Sequence, residues 1–129
     1  VKREGTDVTI VSFGKIIKEA YKAADELEKE GISCEIIDLR TVRPLDKETI
    51  IASVKKTNRL VVLEEAWPFG NVSTEITYII QSEAFDYLDA PIIKINTADT
   101  PAPYSPVLLE EWLPNSNDVA KAVKKVLYK

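Results

Sequence analysis

Glu64-Glu65 is the carboxylate pair best placed for acid–base chemistry, because it closes the apolar run Leu60-Val61-Val62-Leu63. Two carboxylates that share a proton must converge, and neighbours on a strand point to opposite faces. The pair therefore reads as a solvated strand end or an interface ion pair, with one acid free to enter the crevice there. Histidine is absent, which removes the commonest acid–base residue, any Ser-His triad and an ordinary zinc site. Cys34 is the only cysteine, so neither a disulfide framework nor a cysteine-based metal site is available. It lies inside an apolar run and reads as a small buried hydrophobe. A phosphate would need a glycine-rich turn at a helix start. Gly14 stands alone in Ser12-Phe13-Gly14-Lys15, and neither a G-x-G-x-x-G nor a P-loop pattern occurs. No catalytic set assembles, and no cofactor-binding or metal-ligating residue is assigned. The expectation is a domain that binds or assembles.

Apolar bulk in the loops is the more informative feature. Trp67 and Phe69 sit in the short stretch Ala66-Trp67-Pro68-Phe69-Gly70. Tyr104 ends a stretch stiffened by Pro101 and Pro103, and Trp112 follows Glu110 and Glu111. Such aromatics either cap the core or anchor a partner, and both readings stay open. Arg40 and Arg43 lie in a loop ahead of a helix, where a solvated turn is the simplest account.

These residues must be carried by elements that the hydropathy pattern predicts. Four apolar runs read as strands: 7–13, 33–39, 59–65 and 91–97. Their near-continuous apolar character suits strands covered on both faces. Between them the period lengthens. Ile16, Ile17, Ala20, Ala23, Ala24 and Leu27 form one stripe of a helix over 15–30, with Gly31 as its stop. A second helix opens at Pro44-Leu45-Asp46 with Asp46 as N-cap and Ile50, Ile51 and Val54 inward. A third is capped by Asn71 or Ser73, and a last one spans about 117–128. Strands alternating with helices predict a three-layer α/β/α domain on a mostly parallel sheet of four to five strands.

The chain of 129 residues is read as one domain. Apolar residues make up 45% and charged residues 29%, a globular balance. A net charge of −4 with interleaved signs argues against nucleic acid as a partner, and no stretch has the length of a membrane span. The abrupt start at Val1-Lys2-Arg3, with no methionine anywhere, is expected of a piece of a longer chain.

Val8 to Gly14 (VTIVSFG) and Cys34 to Asp46 (CEIIDLRTVRPLD) resemble the C-terminal domain of the transketolase superfamily. IDLRT-x-x-P-x-D carries the likeness most specifically, since it joins a strand end, a loop and a helix cap in fixed register. Leu60 to Ile76 (LVVLEEAWPFGNVSTEI) and ADTPAPYSP, with Leu108-Leu109-Glu110 and Leu113-Pro114, are similar to the pyruvate branch of thiamine-dependent 2-oxo acid dehydrogenase beta subunits. The branched-chain and other superfamily enzymes share the first motif and are the alternative. A free-standing nucleotide-binding or flavodoxin-like module is the alternative of another class.

The resemblance implies an antiparallel edge strand just before the first strand, truncated here to a stub at residues 1–4. It implies thiamine diphosphate and magnesium in the full enzyme and no cofactor in this fragment. The implied partners are an alpha subunit, a second beta subunit and the subunit-binding domain of dihydrolipoyl acetyltransferase. Arg40 is then expected to meet a carboxylate within the subunit or across the beta–beta contact. Arg43, Glu64, Glu65, Trp67, Phe69, Tyr104, Glu110, Glu111 and Trp112 are the further interface candidates. The implied location is the bacterial cytoplasm, or the mitochondrial matrix in a eukaryote.

Overall fold

The computed structural model describes residues 3–12, 16–39, 47–64, 72–95 and 115–128. Four strands, β1 (Val8–Ser12), β2 (Cys34–Asp38), β3 (Leu60–Leu63) and β4 (Ile93–Ile95), alternate with helices. The helices are α1 (Ile17–Glu28), α2 (Lys47–Thr57), α3 (Val72–Glu83) and α4 (Ser116–Val126). A 3-10 turn at Phe85–Tyr87, which the hydropathy pattern does not announce, follows α3. The sheet is ordered β2-β1-β3-β4 and each pairing is parallel. This is the three-layer α/β/α arrangement expected from the alternation of periods.

Register explains why the strand runs are so uniformly apolar. Ile36, Ile10, Val61 and Ile93 stand side by side across the sheet. Together with Val8 and Leu63 they pack on one face against Ala20, Ala23 and Leu27 of α1 and Val119 and Val123 of α4. The opposite face, with Val11, Ile37, Leu60 and Val62, packs on Ile50 and Val54 of α2 and Ile76 and Ile80 of α3. With both faces covered, a polar residue in these strands needs a partner of its own.

The helix ends follow local chemistry. Gly31, at φ 81°, takes the left-handed conformation beyond α1, while the N–H of Ile32 closes on the Leu27 carbonyl at 3.0 Å. Asn58 plays the same part after α2, at φ 64°, and its N–H reaches the Val54 carbonyl at 2.7 Å. The sequence pattern begins the last helix near Asn117, but its cap lies two residues earlier. Asn115 accepts from the Asp118 N–H at 3.1 Å and donates its own N–H to the Asp118 carboxylate at 3.0 Å, a reciprocal capping box. The expected caps Asp46 and Asn71 lie outside the described residues, and the other expected cap, Ser73, lies inside α3, one residue past its start, rather than ahead of it.

The stub ahead of β1 is present as one antiparallel bridge, Arg3 to Ile36, on the outer edge of β2. The Ile36 N–H donates to the Arg3 carbonyl at 2.8 Å. Gly5 permits this approach: a Cβ there would lie 2.5 Å from the Cys34 oxygen and from the Glu35 nitrogen. Those are backbone atoms of a paired strand and cannot swing aside. Gly5→Ala should therefore cost about 1–3 kcal/mol, as overpacking does. Urea unfolding of the two proteins checks it, and an unchanged midpoint would contradict the reading.

Candidate functional site

The strand order reverses direction between β1 and β3, so the crevice at their C-terminal ends is the natural ligand position in such a sheet. Ser12 and Glu64 are the described residues there. Alternation sends Ser12, with Val8 and Ile10, toward α1 and α4; it sends Glu64, with Leu60 and Val62, toward α2 and α3. The Ser12 hydroxyl is fully buried and has no hydrogen-bond partner among the described residues. Glu64 is 3% exposed, and its N–H donates to the Ile95 carbonyl at 2.9 Å. A solvated strand end therefore does not describe Glu64. The two side chains diverge and form no acid–base pair.

Arg40, Arg43, Glu65, Trp67, Phe69, Tyr104, Glu110, Glu111 and Trp112 lie outside the described residues. Glu64 is thus the one interface candidate among the described residues. Cys34 is buried, free and inert: burial pushes its thiol up to about 11, with nearby Arg3 opposing and Asp7 adding to the shift. Among the described residues no group of three His, Cys, Asp or Glu side chains could hold a metal ion. No helix among them is long and apolar enough to cross a membrane.

The most elaborate polar site lies elsewhere, and sequence reasoning passes over it. Glu35 stands in mid-strand on β2, 2% exposed, facing α2. Its carboxylate accepts from the Lys56 ammonium, from the Ser53 hydroxyl at 2.5 Å and from the Gly5 N–H at 3.3 Å. The chain of hydroxyls continues inward. The Ser53 and Thr57 hydroxyls lie 2.7 and 2.6 Å from that of Thr9 on β1, whose single proton goes to one of the two while Thr57 donates to the Arg59 carbonyl at 3.0 Å. Burial alone would raise the Glu35 carboxyl, but the bonds from Lys56, Ser53 and Gly5 and the Lys56 charge outweigh it. The carboxyl is held below its ordinary value and stays ionised. The signal was in the sequence: an acid inside a doubly covered strand, and Ser53, Lys56 and Thr57 spaced along one side of a helix.

This site ties three elements together through short hydrogen bonds, so it reads as architecture. The model of the family "Transketolase, C-terminal domain" matches residues 1–119. The chain belongs to that family. Within it, the chain is 54% identical over 128 residues to a protein named pyruvate dehydrogenase E1 component subunit beta from Rickettsia conorii, covering 99% of this chain and 39% of that one. It is 54% identical over 129 residues to the Rhizobium meliloti protein of the same name, covering 100% of this chain and 28% of that one. A mitochondrial counterpart from Dictyostelium discoideum is 48% identical over 126 residues, covering 98% of this chain and 35% of that one. The chain thus spans well under half the length of these relatives. Among solved structures, a split-gene transketolase described as an inactive beta4 tetramer superposes with a TM-score of 0.86 at 31% identity, covering 98% of this chain and 41% of that one. Family membership displaces the free-standing nucleotide-binding module as an account of this fold.

Proposed function

We propose that the chain is the assembly domain of a pyruvate dehydrogenase beta subunit, a single transketolase C-terminal-like unit within a longer polypeptide. The observation that supports this most is identity of about half along the whole chain to proteins bearing that name. The complete enzyme would use thiamine diphosphate, held with magnesium, in the oxidative decarboxylation of pyruvate, with a lipoyl disulfide accepting the electrons and the acetyl group. In this reading that chemistry belongs to the rest of the enzyme, and no residue of this chain is assigned to the cofactor. Its part is to hold an alpha subunit, a second beta subunit and the subunit-binding domain of the acetyltransferase. Arg40, with a bidentate fork that lysine lacks, meets a carboxylate within the subunit or across the beta–beta contact. Glu110 and Glu111 beside Trp112 offer the acidic, partly apolar surface that a basic binding domain needs. Relatives include bacterial proteins and one named mitochondrial, and the location proposed here is the bacterial cytoplasm, or the mitochondrial matrix in a eukaryote.

Isothermal calorimetry of the isolated chain with thiamine diphosphate and magnesium tests this division of labour. No heat of binding is expected. Micromolar binding would place cofactor ligands in this domain and overturn the proposal.

A further inference from the structure

The buried side chains of α2 are Ile50, Ser53, Val54 and Thr57. Two of these carry hydroxyls, whereas α1 buries Ala20, Ala23, Ala24 and Leu27, and α4 buries Val119, Ala122, Val123 and Val126 with Ser116 in its first turn. Ile51, one of the three large apolar residues of α2, is only partly buried. A helix that answered to its apolar side chains alone would cover Ile51 and turn a hydroxyl out.

The mismatch has a size. On an ideal helix of about 100° per residue, Ile50, Val54 and Ile51 centre roughly 45° to one side of Ile50, and the four buried residues centre roughly 10° to its other side. α2 is thus turned about its axis by roughly 55° from the seat that its large apolar residues favour. The polar site lies on the side to which it turns. Ser53 donates to the Glu35 carboxylate at 2.5 Å, Lys56 pairs with the same carboxylate, and the Ser53 and Thr57 hydroxyls lie 2.7 and 2.6 Å from that of Thr9.

We propose that the buried network of Glu35, Thr9, Ser53 and Thr57, with Lys56, sets the rotation of α2 and holds it against the pull of Ile51. Apolar burial has no preferred direction, but a hydrogen bond does. Thr9 and Glu35 are register partners on β1 and β2, so they stand side by side as a fixed polar ledge. Ser53 and Thr57, one turn apart on α2, meet that ledge together at the present rotation. Rolling back toward Ile51 would draw both hydroxyls away and leave Thr9 and part of the Glu35 carboxylate buried without partners. That penalty exceeds the gain from covering the rest of one isoleucine.

The same rotation decides what α2 presents to α3 at the surface. Lys47 reaches Glu83 at 3.5 Å, and Lys55 stands over the Tyr87 ring, 5.1 Å from its centre. Both lysines lie on the Ile51 side of the helix, away from the ledge, and would move with any roll. The outer contacts between α2 and the α3 region are therefore set from inside, by a network that neither lysine touches.

Methyl NMR of the full 129-residue chain reads the rotation, with a soluble paramagnetic agent reporting the exposure of each isoleucine. The triple variant Thr9→Val, Ser53→Ala and Thr57→Val cuts α2 from the ledge and leaves Glu35 its bonds from Lys56 and Gly5. Relaxation enhancement at Ile51 should fall about twofold or more, with Ile50, Ile76 and Ile80 unchanged. The ring-current shift of the Lys55 side chain over Tyr87 should be lost as well. Ile51→Ser with the network intact should keep that shift, because the network alone holds the rotation. If the triple variant does not fold, Ser53→Ala alone carries the test and should move Ile51 the same way by less. Unchanged enhancement at Ile51 in a folded variant would overturn the proposal. So would a common rise at every isoleucine, or loss of the Lys55 shift in Ile51→Ser.

Discussion

Ile10→Ala should remove about 3–5 kcal/mol of stability, the upper part of the range for buried isoleucine truncation. Ile10 is fully buried on β1, with Ile36 and Val61 beside it in register and Ile93 next in the row. Strands on both sides and α1 and α4 above fix the walls of the hole, so little collapse can refill it. A domain of this size has about 5–15 kcal/mol in all, and the variant should lie near the limit of folding at 37 °C. Urea unfolding followed by far-ultraviolet circular dichroism measures the loss. A cost below about 1 kcal/mol would mean that the row does not form the packed centre described here.

The second large effect is the loss of Lys56. A fully buried ion pair broken on one side costs about 3–5 kcal/mol, and the half exposure of Lys56 lowers the expectation for Lys56→Met to about 2–3 kcal/mol. The pH dependence carries a sign that separates this from lost packing. The folded Glu35 carboxyl titrates below its ordinary value of 4.5, because the Lys56, Ser53 and Gly5 bonds and the Lys56 charge outweigh the cost of burial. Its contribution is therefore complete above the unfolded value and is lost as pH falls through the lower, folded one. Glu35→Gln should lower stability at pH 7 and flatten the decline of stability below pH 4.5 relative to the wild type. Chemical unfolding across that acid range checks both. Parallel curves for the two proteins would show that Glu35 does not titrate as described.

Where the sequence could be read, the physical reason is burial on two faces. Val8 to Ser12 and Leu60 to Leu63 are apolar because helices cover both sides, and that signal survives without knowledge of their neighbours. Gly31 marks the end of α1 because the left-handed turn after Leu27 suits glycine. The edge stub was legible only through family resemblance, since a single bridge at Arg3 leaves no periodicity. Glu35 was passed over because its neighbours Cys34, Ile36 and Ile37 dominate the strand pattern, while its partners Ser53 and Lys56 lie on another element. Pairing across 18 residues is a tertiary fact that a local pattern does not record. For Glu64 the strand end was identified correctly, but its 3% exposure is a tertiary property that the strand pattern does not record. The aromatic-rich stretches around Trp67 and Tyr104 follow no period in the sequence, so their residue types indicate bulk without indicating direction.

The assembly role is tested most directly by exchange. The matching region of the Rhizobium meliloti beta subunit is replaced with these 129 residues. The chimera is then mixed with its alpha subunit and examined by sedimentation velocity, with circular dichroism to establish that it folds. The account predicts a particle of the same size as the native alpha–beta assembly. A folded chimera that sediments apart from the alpha subunit would contradict it.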